Sequence, residues 1–99
     1  MMKRQEEFTH IGIVWYTEEE WRKMKAISSD SEIFEDSFKE WEEMAIKTIV
    51  DMKANGIVGT KVFIKSDEFI VWCKIHSLPK DAASRSKYVT DIMSKRNSN

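Results

Sequence analysis

The stretch HIGIVWYT, residues 10–17, decides how the rest of the chain is read. Ile11, Ile13 and Trp15 alternate with Gly12, Val14 and Tyr16, and a period of two carried by β-branched and aromatic residues is that of a strand. The strand stops at Thr17, which is followed three residues later by Glu20. That is the capping-box spacing, in which hydroxyl and carboxylate satisfy two amides left orphaned at a helix start. The short helix that follows carries Trp21, Met24 and Ile27 inward until SSDS, residues 28–31, interrupts it. Asp30 or a neighbouring serine can cap what comes next.

Further along, Phe34, Phe38, Trp41, Ala45, Ile49 and Met52 recur every three or four residues, which predicts one long helix over residues 32–54 as the spine of the fold. Asn55–Gly56 ends it, because glycine reaches the left-handed conformation without a Cβ clash. IVGTKVFIK, residues 57–65, is a second strand with Val58, Thr60, Val62 and Ile64 on one face and a candidate bulge at Gly59. Ser66 and Asp67 can cap a third helix whose inward face is Phe69, Trp72, Cys73 and His76. Leu78–Pro79 closes that helix, since the residue before proline is pushed out of the helical region. Asp81 can cap a fourth helix with Tyr88, Val89, Ile92 and Met93 as its apolar stripe. The order is β-α-α-β-α-α. It predicts an α+β fold in which a helical hairpin joins two strands that most simply pair antiparallel, the small sheet being covered by four helices.

Ninety-nine residues, 41% of them apolar and including four Trp and five Phe, predict a single globular domain over 1–99, with residues 1–8 and 97–99 flexible. One cysteine, Cys73, excludes an internal disulfide and suits a reducing, cytoplasmic setting. The N-terminal stretch carries an early basic pair, then two glutamates and a six-residue apolar run, too short and too acidic for a signal peptide. No run approaches the roughly 20 apolar residues that span a bilayer, so no membrane partner is expected. The 16 basic and 17 acidic side chains leave a net charge of −1, which argues against general attraction to polyanions.

The spacing of Trp21, Asp30, Trp41, Gly56, the pair Trp72–Cys73, Arg85 and Tyr88–Val89 resembles that of a group of small uncharacterised bacterial proteins, over most of the chain after residue 11. The resemblance implies a bacterial single-domain protein. It implies no activity, cofactor or catalytic residue.

Chemistry-bearing residues are sparse. Cys73 and His76 are three apart and share a helical face, but zinc needs four ligands, or three and water, and the only other histidine is His10. Cys73 is therefore read as a core residue and His76 as a helix-end side chain. Glu18, Glu19 and Glu20 fill a first helical turn, where the dipole favours negative charge. Gly12, Gly56 and Gly59 form no phosphate loop. No catalytic residue, cofactor or metal is predicted, and the chain is read as non-enzymatic, acting through a protein partner or as a homodimer. Trp15, Tyr16 and Trp21, around the strand-to-helix corner, are the candidate partner-binding residues.

The alternative is a small nucleic-acid-binding regulator using residues 66–96 as a helix-turn-helix-like segment, with Lys80, Arg85 and Lys87 as the contacts. Its turn has a suitable length, but residues 66–99 carry six basic against four acidic side chains, a weak attraction for phosphate. If Arg85 is structural, it is expected to pair with a carboxylate on the long helix. A third class is a small-molecule binder with a pocket between the Trp-bearing elements.

Overall fold

The computed structural model describes residues 9–96, and the flexibility expected of 1–8 and 97–99 falls outside them. The described elements are β1 (Thr9–Trp15), α1 (Glu18–Ile27), a 3-10 turn (Ser31–Ile33), α2 (Phe38–Ala54), β2 (Ile57–Phe63), α3 (Ser66–His76) and α4 (Ala82–Arg96). The fold is α+β with four helices and a two-stranded sheet among these residues. No helix among the described residues is long and apolar enough to cross a membrane.

The strands pair in parallel, from Thr9 opposite Ile57 to Trp15 opposite Phe63, which corrects the antiparallel expectation. An antiparallel pair would follow if α1 and α2 ran side by side as a hairpin. They do not: α1 packs chiefly on α3, and residues 28–37 redirect the chain before α2 begins. α2 then lies on the sheet and turns straight into β2 at Asn55–Gly56, where Gly56 takes φ 80°. It acts as the crossover helix of a parallel β-α-β unit.

The long helix is also shorter than its stripe suggests. It starts at Phe38, where the Ser37 hydroxyl accepts from the Glu40 amide at 3.1 Å, so 17 residues make a helix of about 25 Å. Phe34 precedes it and packs on Trp21 at 6.1 Å between ring centroids. At α1 the Thr17 hydroxyl accepts from the Glu20 amide at 3.2 Å. The reciprocal half of the capping box is absent: the Glu20 carboxylate accepts instead from the Ser66 amide at 2.7 Å, tying α1 to the start of α3. α3 has Lys65 as N-cap with no side-chain cap bond, and it ends through left-handed Ser77, φ 55°, before Leu78–Pro79.

The sheet is covered on both faces. α2 takes the face of Ile13, Trp15 and Gly59: a Cβ on Gly59 would stand 2.9 Å from Ile13 Cγ1 and 3.7 Å from Ile49 Cγ1, and the Trp15 and Trp41 rings meet at 5.0 Å. Gly59 is in continuous register, not a bulge; it makes room for Ile13. α4 takes the other face, so close to β1 that a Cβ on Gly12 would lie 2.6 Å from Met93 Cγ and 2.7 Å from Val89 Cγ1. Phe69, Met24, Val62 and Val89 are fully buried. They mark the core where the α1–α3 pair meets the sheet and α4.

A candidate cleft along the outer edge of β1

Two bonds at the ends of the ladder establish which way β1 points its backbone. The Thr9 amide donates to the Gly56 carbonyl at 3.0 Å, and the Trp15 carbonyl accepts from the Ile64 amide at 3.1 Å. In a parallel ladder alternate residues face the partner, so Thr9, Ile11, Ile13 and Trp15 bond to β2. His10, Gly12 and Val14 turn their N–H and C=O groups the opposite way, and no other backbone segment among the described residues bonds to them.

Those same residues line an open cleft. Its lower part, of 450 Å³, is bounded by His10, Ile11 and Gly12 of β1 and by Ser86, Thr90 and Met93 of α4. Its upper part, of 270 Å³, is bounded by Val14 and Tyr16, by Trp41 and Met44 of α2, by Arg85 and Ser86 of α4, and by residues 33–35. The two parts meet at Ser86. One wall is apolar, from α2; the other is mostly small and polar, from α4.

Arg85 stands at the upper end, 6% exposed. Its Nη1 donates to Ser28 Oγ at 2.9 Å and to Asp30 Oδ1 at 3.1 Å, and its Nη2 donates to Asp30 Oδ2 at 3.1 Å. The guanidinium also lies over the Phe34 ring, 4.9 Å from its centroid. Asp30 accepts a further bond from the Ala82 amide at 2.8 Å, so it caps α4 and not the 3-10 turn, while Asp81 caps the Ser84 amide at 3.0 Å. The partner of Arg85 is thus Asp30, ahead of the turn, and not a carboxylate of the long helix. Burial works against ionisation of Asp30, but the Arg85 hydrogen bonds, the Ala82 amide and the Arg85 charge outweigh it and hold the carboxyl below its ordinary range.

Of the candidate partner-binding residues, Trp15 and Trp21 are each 3% exposed and belong to the core. Tyr16 is buried too, yet it lines the cleft, and its hydroxyl has no hydrogen-bond partner among the described residues. Burial pushes its phenol well above the ordinary range, with the nearby Arg85 charge pulling the other way and Asp30 adding to the rise. The residues proposed to touch nucleic acid do not form one basic face: Arg85 is sealed against Asp30, Lys80 is half-buried with its carbonyl accepting from Ser29, and Lys87 is exposed.

No protein family, curated protein or solved structure matches this chain.

Cys73 and His76 part company. Cys73 is buried, its Sγ donating to the Pro79 carbonyl at 3.7 Å, and burial raises its thiol pKa. His76 is exposed, with its ring 4.5 Å from that of Trp72, whose Nε1 donates to Asp91 at 3.2 Å. Among the described residues no three His, Cys, Asp or Glu side chains converge as metal ligands. His10, Val14, Met44, Ser86 and Thr90 were not singled out as site residues by sequence reasoning. The one trace of the cleft was Gly12, a glycine inside an otherwise strong strand, which often marks close approach of another segment.

Proposed function

We propose that this chain is a non-enzymatic protein-interaction domain that takes an extended segment of a partner polypeptide as a third strand along the outer edge of β1. The observation that carries the reading is the coincidence of two independent features: the three β1 residues whose backbone groups point away from β2 also line the cleft. Strand addition uses those backbone groups for affinity and pockets on either side for specificity. A two-stranded sheet is marginal in isolation and gains from a third strand.

The opposite edge is the poorer candidate. By the same alternation β2 presents Ile57, Gly59, Lys61 and Phe63 outward, and lysine on an edge strand is a common guard against added strands. At β1 the flanking helices leave space for one extended chain. Its alternate side chains would face the Trp41–Met44 wall and the Ser86–Thr90 wall, so the favoured segment alternates apolar with small polar residues.

The test uses fluorescein-labelled decapeptides of that alternating pattern, read by anisotropy against the parent protein, Val14→Pro, His10→Pro and Lys61→Pro. Proline deletes an N–H. At Val14 and His10 that N–H faces the cleft and takes no part in the β1–β2 ladder; at Lys61 it faces the other edge. Loss of one or two ladder bonds should weaken binding by about tenfold for Val14→Pro and His10→Pro, with Lys61→Pro unchanged and the circular dichroism of all three native-like. No binding by any such peptide, or equal weakening at Lys61, would overturn the proposal. So would a dimer abolished by His10→Pro, which would make the occupant a second copy of this chain.

A further inference from the structure

The upper end of the cleft has polar groups that the packing does not use. A guanidinium carries five N–H donors. Three of those of Arg85 go to Ser28 and Asp30, and no other partner for Arg85 exists among the described residues. The two that remain, Nε–H and the second Nη2–H, lie side by side on one edge of the plane, the fork that matches the two oxygens of a carboxylate. The Tyr16 hydroxyl, also without a partner, lines the same cavity. Around them stand Phe34, Trp41 and Met44. Two polar side chains, both more than nine-tenths buried, are thus held unsatisfied beside apolar walls.

We infer that this end of the cleft is a carboxylate pocket that receives the C-terminal carboxylate and apolar last side chain of the segment added to β1. As to the source of the carboxylate, the inference rests on the strand-addition reading. The cleft is closed here by residues 33–35, so a strand running parallel to β1 ends at this point. The carboxylate bridges the free edge of Arg85 and the Tyr16 hydroxyl, and the last side chain lies against Trp41 and Met44. Asp30 already offsets the Arg85 charge and Glu35 also borders the cavity. The pocket therefore favours a monoanion and disfavours a dianion such as phosphate. Tyr16 remains a hydrogen-bond donor because its burial opposes ionisation.

The experiment compares one alternating decapeptide as the free acid and as the C-terminal amide, with hydrocinnamate as the free small carboxylate and inorganic phosphate as the dianion. The proteins are the parent, Tyr16→Phe and Arg85→Lys. Tyr16→Phe removes only the oxygen and keeps the fold; Arg85→Lys keeps the charge and removes the fork. Amidation should weaken binding by about tenfold, as the loss of a charge-assisted pair does, and Tyr16→Phe should erase most of the difference between acid and amide. Hydrocinnamate should compete weakly with the acid and shift the Arg85 Nε–H resonance, while phosphate should do neither. Acid and amide binding equally, both still weakened by His10→Pro, would overturn the carboxylate pocket and leave strand addition standing. Hydrocinnamate binding with no peptide binding would retain the pocket for a free carboxylate and refute the peptide terminus as its source.

Discussion

Removing the Asp30 carboxylate tests the latch that fixes α4 against the α1 end of the molecule. Asp30 and Arg85 side chains are 18% and 7% exposed, so this is a largely buried pair. Asp30→Ala leaves the Arg85 charge without its counter-ion, for which breaking a buried pair costs about 3–5 kcal/mol. It also uncaps the Ala82 amide, for which a lost cap costs about 1 kcal/mol. Against this, Ser28 Oγ still accepts from Nη1, and the cleft lets water reach the guanidinium. The net expectation is a loss of about 3–4 kcal/mol. For a domain of this size that lowers Tm by about 15–25 °C, read by urea and thermal melts followed by tryptophan fluorescence. Adding Arg85→Met to Asp30→Ala should recover stability, because the unpaired charge goes with it. Acid dependence follows the same residue. The folded carboxyl titrates below its ordinary value of 3.8, so its contribution is full above that pH and is lost as pH falls through the folded value. Asp30→Ala should flatten the acid limb. A loss under about 1 kcal/mol, as for an exposed ion pair, would refute the reasoning.

Gly12→Ala should destabilise the fold by about 1–2 kcal/mol, since overpacking against Met93 and Val89 outweighs the entropy gained by removing a glycine; a variant as stable as the parent in a urea melt would contradict the close approach of α4 to β1. The Tyr16 phenol is raised by burial above its ordinary 10.0, so its contribution to stability is full below that pH and is lost as pH rises above it. Alkaline melts of Tyr16→Phe should therefore lose less stability than the parent above pH 10, and identical slopes would contradict the burial of the hydroxyl.

Both strands and the four helices were legible because each carries its own periodicity: β1 through Ile11, Ile13 and Trp15, α2 through Phe38, Trp41 and Ala45, α4 through Tyr88 and Val89. Strand direction was not, because an alternating pattern reads the same whichever way its partner runs. It depended on residues 28–37, where Phe34 continues the stripe of α2 by spacing alone and lies outside that helix. The Arg85–Asp30 pair spans 55 residues of chain, so nothing local in either segment announces it. Arg85 therefore looked like a surface contact for nucleic acid or a partner for the long helix. The cleft was hidden for the same reason. Only the parallel register reveals that His10, Gly12 and Val14 turn their backbone outward, and only the seating of α2 and α4 brings Met44 and Ser86 beside them.

Amide hydrogen exchange along β1, resolved by NMR, tests the open edge most directly. In the free protein the amides of Ile11, Ile13 and Trp15 should be protected by β2, while those of His10, Gly12 and Val14 exchange far faster, an alternation with a period of two. Saturation with an alternating decapeptide should then slow those three. Uniform protection along β1 in the free monomer, or three outward amides left fast in the saturated complex, would contradict an open β1 edge that accepts a strand.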